Sequence, residues 1–353
     1  MNQILLGNCL EVLQTLEDNS VDAIITDPPY GLGTKEPTLE EIISYLSGVS
    51  ELDTGGDFKG AEWFIPSVAV WRECLRVLKP GGHLLAFAGT RTHDLISMGL
   101  RAAGFSSRDT IASQFGVQEF QWMNGQGFPK SKNLGEGRGT ALKPSWEPIL
   151  IFRKPLDGSV SDNIEKYGVG GYNIEDTRVG TRWPANVVFT HGSECRVVGT
   201  KRVKAPVINR FSDGMKPFGD GAGHAYTSEQ RGDADGMEEI PVYECVEGCP
   251  VLVLEQQNKD APKFFSQFEA PFLYEKKANK KERGEGNNHP TVKPLTLMEW
   301  LVKLVSPEGG TVLDVYCGSG TTCLAAKNLG RRYIGIERDP KFFEIATNRL
   351  KTV

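Results

Sequence analysis

The sequence contains no run of about 20 apolar residues, no internal repeat, and no signal-peptide pattern in residues 1–7. These absences argue against a membrane span, a repeat architecture and secretion. Its 353 residues, 39% hydrophobic and 24% charged, are typical of a globular protein with one large α/β domain and a second unit, or with two ordinary domains. We expect a cytoplasmic protein.

The chain also lacks an excess of positive charge and an even number of cysteines. The formal net charge is -5, which argues against nonspecific coating of nucleic acid but allows a local basic face. The seven cysteines are an odd number in a chain without secretory features, so we expect no disulfide framework.

Apolar periodicity divides the chain into three segments. In residues 1–153 it predicts strands at Gln3–Leu6, Val21–Thr26, Leu84–Ala88, Arg108–Phe115 and Pro148–Phe152, and helices at Leu10–Leu16, Ser67–Leu78 and Arg91–Ala103. Periodicity is lost in residues 154–285. In residues 286–353 it predicts helices at Pro294–Val305, Thr321–Leu329 and Pro340–Leu350 around strands at Thr311–Val315 and Tyr333–Glu337. This alternation predicts an α/β fold with a Rossmann-like parallel sheet, built from both ends of the chain and interrupted by a loop-rich insert.

A Gly-rich loop, Asp314 to Gly320, follows one of the predicted strands. Such a turn lets the backbone approach a ligand closely, and the acidic residue that ends the next strand typically holds ribose hydroxyls. That acid is Glu337, which follows Gly318 by 19 residues. Cys323 stands where a dinucleotide fold would have Gly or Ala, which argues against a dehydrogenase. The expected cofactor-binding residues here are Asp314, Tyr316, Gly318, Ser319, Gly320, Thr321 and Glu337.

The tetrapeptide Asp27-Pro28-Pro29-Tyr30 follows another predicted buried strand. Its prolines fix an extended segment that presents a carboxylate, a carbonyl and an aromatic ring together. Hydrogen bonds to Asp27 and to the Pro28 carbonyl would concentrate the lone pair of a base amino group, and Tyr30 would stack on a base flipped out of the duplex. A Pro-rich turn capped by Asp is the alternative. The buried strand before the tetrapeptide and the distal Gly-rich loop favour the catalytic interpretation.

In this order, catalytic tetrapeptide before Gly-rich loop, the two motifs resemble the permuted β class of amino-group DNA methyltransferases, which use S-adenosyl-L-methionine. The segment Gly7 to Leu10 resembles the family's Gly-Asp-Cys, which implies that Asn8 and Cys9 lie near the cofactor adenine. The segment His289 to Pro294 resembles His-Pro-Thr-Gln-Lys-Pro, which implies contacts to the methionine end of the cofactor from His289, Thr291 and Lys293.

The likeness spans nearly the whole chain. Residues 125–131, 141–148 and 182–186 resemble stretches of phage and prophage-type members. Three departures stand out: Val315 and Tyr316 replace Pro and Phe, Asn8 replaces Asp, and Val292 replaces Gln. Because Tyr316 keeps an aromatic ring, we expect cofactor binding to survive.

The resemblance implies a site-specific DNA methyltransferase that transfers the methyl group directly, without a covalent enzyme intermediate. Adenine N6 and cytosine N4 both stay open as targets, and Asp rather than Ser before Pro-Pro-Tyr favours adenine. The expected partners are double-stranded DNA, a cognate restriction endonuclease and a second copy of the chain. An RNA methyltransferase or a catalytically silent DNA-binding module is an alternative, and a protein glutamine methyltransferase would carry Asn-Pro-Pro-Tyr after its Gly-rich loop.

Residues 154–285 are expected to recognise the DNA target. Six basic residues against one acid lie between Arg196 and Pro217, and five against two between Glu275 and Arg283. Solvated loops are the alternative to phosphate contacts, for which the candidates are Arg196, Lys201, Arg202 and Lys204. Trp122 and Phe128 are candidates for a second aromatic wall around the flipped base. For Trp122 an ordinary core role is equally open.

Two spaced pairs in the same segment suit a metal: His191 with Cys195, and Cys245 with Cys249. Imidazole and three thiolates in a set of four are typical of tetrahedral zinc. Buried cysteines without a metal are an equal alternative. Cys9, Cys74, Cys317 and Cys323 lie on predicted core elements, where they act as small hydrophobes.

Overall fold

The molecule is built around a mainly parallel β-sheet. The computed structural model describes residues 2–33, 35–48, 50–56, 62–107, 118–124, 133–135, 138–139, 146–177, 184, 186–191, 195–204, 207–211, 226–230, 233, 235–247, 249, 252, 256, 273–276, 283 and 292–351. Within these residues ten strands form the main sheet.

The strands are numbered in chain order: β1 (Gln3–Leu6), β2 (Val21–Thr26), β3 (Leu52–Gly56), β4 (Glu62–Ile65), β5 (Leu78–Phe87), β6 (Ser106–Ser107), β7 (Gln118–Asn124), β8 (Asn133–Gly135), β9 (Arg138–Gly139), β10 (Trp146–Arg153), β11 (Val187–His191), β12 (Arg196–Lys204), β13 (Val207–Phe211), β14 (Tyr226–Gln230), β15 (Met237–Glu244), β16 (Leu273–Lys276), β17 (Thr311–Asp314) and β18 (Arg332–Glu337). The α-helices are α1 (Cys9–Leu13), α2 (Leu39–Ser47), α3 (Val68–Val77), α4 (His93–Ala102), α5 (Val160–Tyr167), α6 (Leu295–Val305), α7 (Thr321–Asn328) and α8 (Pro340–Lys351), with a 3₁₀ turn at Glu175–Thr177.

The main sheet has the order β1, β18, β17, β2, β5, β10, β7, β11, β16, with β6 also paired to β10. From β1 to β5 every neighbouring pair is parallel, whereas β10 is antiparallel to both β5 and β7. The carboxyl ends of β2, β17 and β18 therefore lie side by side at one edge. Ligands bind at this edge in open α/β sheets.

Both faces of the sheet are covered, which confirms the predicted α/β class. Successive residues of β2 alternate between two cores: Ile24 packs with α1, α3 and α4, and Ile25 packs with α6, α7 and α8. Neither side chain is exposed to solvent. Burial on both faces explains why the central strands are continuous apolar runs rather than alternating ones.

Strand β5 begins earlier than predicted, at Leu78 rather than Leu84. In its pairing with β2, Leu78 lies opposite Val21 and His83 lies opposite Ala23, so the register shifts between these two pairs. The bulge accommodates Pro80, Gly81 and Gly82 within the strand. The predicted strand Arg108–Phe115 lies outside the described residues.

Strands β11 and β16 belong to the 154–285 segment, yet both extend the main sheet beyond β7. By contrast, β12 pairs with β15 and β13 with β14 in separate two-stranded ladders. The division of the chain into segments 1–153, 154–285 and 286–353 stays a prediction. Among the described helices, none has the length and apolar character needed to cross a membrane.

Candidate active site

The tetrapeptide Asp27 to Tyr30 follows the carboxyl end of β2 and meets a buried lysine from the other end of the chain. The Tyr30 hydroxyl donates to Asp27 Oδ1 at 2.5 Å. Lys293 Nζ lies 3.0 Å from Asp27 Oδ2, 3.1 Å from the Tyr30 hydroxyl and 3.5 Å from Glu147 Oε2. Each carboxylate oxygen has more than one lone pair, so Asp27 still has capacity to accept a hydrogen bond from a substrate amino group.

Burial and a hydrogen bond from Thr92 hold the backbone of the tetrapeptide. Pro28 is buried, Pro29 is half-buried, and the Tyr30 carbonyl accepts a hydrogen bond from the Thr92 hydroxyl at 2.5 Å. The proline rings fix φ, so little freedom remains for the segment to lose when it binds a substrate.

Electrostatics keep Lys293 charged and Tyr30 protonated. Burial alone would lower the pKa of Lys293, but the negative charges of Asp27 and Glu147 outweigh it and raise that pKa above its ordinary value. Burial, with the same two carboxylates, raises the pKa of Tyr30 well above its usual range. Both groups therefore act as hydrogen-bond donors to Asp27 at neutral pH.

Thr26 connects the tetrapeptide to the Gly-rich loop. Its hydroxyl donates to Asp314 Oδ1 at 2.7 Å and accepts from the Tyr316 amide at 3.2 Å, while the same amide lies 3.1 Å from Asp314 Oδ1. Burial raises the pKa of Asp314 to about 6, although hydrogen bonds from Thr322, Thr26 and the Tyr316 amide act in the opposite direction. The two motifs thus share one hydrogen-bond network.

The Gly-rich loop presents a carboxylate at the end of β18. Glu337 accepts from the Gly318 amide at 2.7 Å and from the Asp339 amide at 2.9 Å, and burial raises its pKa. Gly318 and Gly320 have φ of +52° and +83°, in the left-handed region that favours glycine. The loop, the half-buried acid and the start of α7 fit the ribose end of a nucleoside cofactor.

Arg349, which sequence reasoning missed, supports this loop from α8. Its Nη1 donates to the Ser319 carbonyl at 2.6 Å and lies 3.2 Å from the hydroxyls of Ser319 and Thr321. Burial lowers its pKa. In the sequence Arg349 looks like an ordinary basic residue in the last turn of a helix, so no local signal marks it.

The segment resembling Gly-Asp-Cys lies beside the same loop. Asn8 caps α1 by accepting a backbone amide of the first turn at 2.9 Å. The Cys9 thiol donates to the Tyr316 hydroxyl at 3.5 Å, and burial raises the pKa of that thiol. The Gly7 amide donates to the Glu337 carbonyl at 3.0 Å. The structure therefore brings together residues 7–9, the loop and the acid.

Other predicted site residues are placed only in part. His289, Thr291 and Phe128 lie outside the described residues. Trp122 lies in β7, in register with Glu147 of β10. Sequence reasoning did not select Glu147 itself, although it falls in the quoted stretch 141–148, and it did not select Phe87, whose ring centre is 4.7 Å from Lys293 Nζ.

The candidate phosphate-binding residues share one strand, β12. Arg196 and Lys201 are exposed there, and Lys204 ends the strand. Arg202 instead forms ion pairs with Asp233 at 3.0 Å and Asp235 at 2.8 Å. Its charge is therefore already partly neutralised.

Three of the four predicted metal ligands come together. The sulfur atoms of Cys195, Cys245 and Cys249 all lie within 4.8 Å of one another. Burial, followed by hydrogen bonding and charge from the other two cysteines, raises the pKa of Cys245 to about 12. The fourth candidate, His191, ends β11.

Residues 21–348 match the family profile described as DNA methylase, which covers N6 and N4 methyltransferases. The chain belongs to this family. The methylase is 26% identical over 370 residues to the type II methyltransferase M.HindIII of Haemophilus influenzae, covering 96% of this chain and 91% of that one. It is 23% identical to the type II methyltransferase M.HpaI of Haemophilus parainfluenzae, covering 99% and 74%.

A solved structure from Thermus thermophilus, TTHA0409, a candidate DNA modification methylase complexed with S-adenosyl-L-methionine, is also similar to the methylase. It is 19% identical with a TM-score of 0.47, covering 100% of this chain and 95% of that one. Family membership, from the profile match, makes the methylase an amino-group DNA methyltransferase of the N6/N4 type.

Proposed function

We propose that this methylase is a site-specific DNA methyltransferase that modifies the N6 amino group of a flipped-out adenine, with Asp27, Pro28, Pro29 and Tyr30 as its catalytic residues. The observation that carries the proposal is the contact between the two motifs: the segment from Thr26 to Tyr30 is hydrogen-bonded to the Gly-rich loop through Asp314. The acceptor for a base amino group and the loop that would hold a cofactor are therefore neighbours.

The chain's own residues would activate the base. Asp27 and the Pro28 carbonyl accept hydrogen bonds from the amino group, which draws its nitrogen toward tetrahedral geometry and concentrates the lone pair. Lys293 and the Tyr30 hydroxyl hold Asp27 from its other sides. Tyr30 then stacks on the base and offsets part of the few kcal/mol needed for flipping.

S-adenosyl-L-methionine, when bound, would supply an electrophilic methyl group. Glu337 would hold its ribose, and the backbone of Gly318, Ser319 and Gly320 would lie against it. Asp314, Tyr316 and Thr321 complete the loop, while Asn8 and Cys9 would border the adenine. His289, Thr291 and Lys293 would face the methionine end, a role that rests on the motif resemblance.

The wider setting is part of the same proposal. The permuted order of motifs and the phage-type affiliation rest on the sequence resemblance. A cytoplasmic location and a homodimer are part of the proposal as well. The type II designation of the two relatives supports a restriction-modification system with a cognate endonuclease. Double-stranded DNA is the substrate, with phosphate contacts from β12.

Single-molecule sequencing of host DNA tests the proposal. The methylase is expressed in a bacterial strain without its own DNA methylation, beside the Asp27→Ala variant as a control. We expect N6-methyladenine at one short sequence motif, absent with the variant. N4-methylcytosine at a motif would show that the target base is cytosine rather than adenine. Unmodified DNA from a soluble, cofactor-binding enzyme would overturn the proposal.

A further inference from the structure

A two-stranded ladder in the 154–285 segment, β12 with β15, gathers three cysteines at one of its ends. Cys195 directly precedes β12 and Cys245 directly follows β15. Because Arg196 pairs with Glu244 in the antiparallel register, residues 195 and 245 leave the ladder side by side although 50 residues separate them. Backbone pairing, rather than sequence proximity, places them together.

A turn then brings in the third cysteine. The Cys249 amide donates to the Val246 carbonyl at 3.1 Å, which folds the chain back toward Cys245. All three sulfur atoms lie within 4.8 Å of one another, and Cys195 and Cys249 are each 1% exposed. Tetrahedral zinc with Zn–S bonds of about 2.3 Å separates its sulfur ligands by roughly 3.8 Å. A contraction of about 1 Å or less would complete such a set.

The chemistry of the cluster selects the ligand class. The structure has all seven cysteines of the chain as thiols rather than disulfides, and three thiols in one cluster cannot all pair with one another. Soft thiolates bind zinc in preference to the hard cations Mg²⁺ and Ca²⁺. A structural zinc site has four protein ligands, and His191 lies four residues before Cys195 at the end of β11.

We propose that Cys195, Cys245 and Cys249 bind one structural zinc ion, with His191 as the fourth ligand. The ion would join the β12–β15 ladder to β11, which belongs to the main sheet. Within the described part of the chain, this ladder is a separate two-stranded sheet, and a pair of strands alone is at best marginally stable in water. Zinc would supply the order that a small core cannot.

Metal analysis of the purified full-length methylase tests the site. We expect about one equivalent of zinc in the wild type and in Cys74→Ala, which removes a buried thiol of α3 outside the cluster. Cys195→Ser, Cys245→Ser, Cys249→Ser and His191→Ala should each hold markedly less. If the wild type carries less than a tenth of an equivalent and binds no added Zn²⁺, the proposal is wrong.

Cobalt substitution keeps the test independent of variant folding. Wild-type protein loaded with Co²⁺ should show thiolate-to-cobalt charge transfer and the intense visible bands of a tetrahedral site. An octahedral spectrum without thiolate bands, iron with acid-labile sulfide, or a disulfide within the cluster would each contradict a zinc site.

Hydrogen exchange tests the role of the ion. After zinc is removed by a chelator, peptides covering β12 and β15 should lose amide protection, while peptides covering α3 keep theirs. Unchanged protection of the ladder would show that an ion bound there does not order it.

Discussion

The ammonium group of Lys293 lies between two carboxylates from distant parts of the chain. Its side chain is 7% exposed, and Asp27 and Glu147 are each within 3.5 Å of Nζ. Removing one member of a buried ion pair is costly because the partner charge is left unpaired in a medium of low polarity. The lysine therefore contributes to both stability and the geometry of Asp27.

Lys293→Met should destabilise the methylase by about 3–5 kcal/mol and reduce turnover by roughly 100-fold, since the two carboxylates would repel and Asp27 would move. Urea unfolding and a methyl-transfer assay measure the two effects. The double variant Lys293→Met with Glu147→Gln should recover part of the stability, because it removes one of the repelling charges. If the double variant is as unstable as the sum of the single variants, repulsion is not the cause.

Asp314 should make the free energy of unfolding depend on pH. In the folded state its pKa is about 6, whereas the unfolded value is near 3.8. As pH rises from about 4 to 6, the unfolded chain releases this proton before the folded chain does. The contribution of Asp314 to stability is therefore present below pH 4 and is lost as pH passes through 6.

Asp314→Asn removes this titration. The free energy of unfolding of the variant, measured relative to wild type by denaturant titration, should rise with pH between 4 and 6 at up to about 1.4 kcal/mol per unit, and then level off. Glu17→Gln, at an exposed carboxylate, controls for the general loss of charge. A difference between variant and wild type that stays flat from pH 4 to 7 would contradict the burial of an ionisable Asp314.

At the scale of an element, packing against a helix constrains one glycine of the Gly-rich loop. Gly320 has φ +83°, and a Cβ there would lie 3.0 Å from the Cβ of Ala346 in α8. Gly309 has φ +65° and open space around it. The two glycines share the backbone conformation, but only Gly320 is packed against a helix.

Gly309→Ala should cost roughly 1–2 kcal/mol of stability through left-handed strain alone. Gly320→Ala should cost more, because the added methyl group also pushes against α8, and it should weaken cofactor binding. Chemical denaturation gives the two losses, and calorimetry with S-adenosyl-L-methionine gives the affinity. Equal losses of stability would show that packing against Ala346 does not constrain the loop.

Strand β12 offers a matched comparison between two neighbouring basic residues. Lys201 is exposed, whereas Arg202 already binds Asp233 and Asp235. If β12 contacts DNA phosphates, Lys201→Ala should weaken binding and lower the slope of log affinity against log salt by about 1, and Arg202→Ala should lower it less. Fluorescence anisotropy over a salt series measures both slopes. If Arg202→Ala lowers the slope more than Lys201→Ala does, Lys201 is not the main phosphate contact of the two.

At the scale of the whole molecule, the sequence was sufficient for what depends on local pattern. Strand β2 was predicted with both of its ends. The motifs after β2 and β17 lie at the same edge because these neighbouring parallel strands align their carboxyl ends. Spacing and chemistry alone also selected Cys195, Cys245 and Cys249, whose sulfur atoms the structure brings within 4.8 Å of one another.

Contacts made by long-range folding were not predictable. Lys293 reaches Asp27 across 266 residues, and Arg349 reaches Ser319 between elements whose packing no periodicity reveals. The spacing of apolar residues shows which face of a strand or helix is buried, but it does not show which other element packs against that face. The resemblance assigned Lys293 to the cofactor, and the structure places its ammonium group 3.0 Å from Asp27 and 3.1 Å from the Tyr30 hydroxyl.

The central claim is that Asp27 activates the target amino group, and comparing methyl transfer with cofactor binding in Asp27→Ala tests it most directly. The purified variant and the control Asp18→Ala, at an exposed ion pair, are each assayed on DNA carrying the target motif. We predict that Asp27→Ala binds S-adenosyl-L-methionine with near wild-type affinity but transfers methyl at least about 100-fold more slowly, while the control behaves as wild type. Transfer by Asp27→Ala within a few-fold of the wild-type rate would contradict the account.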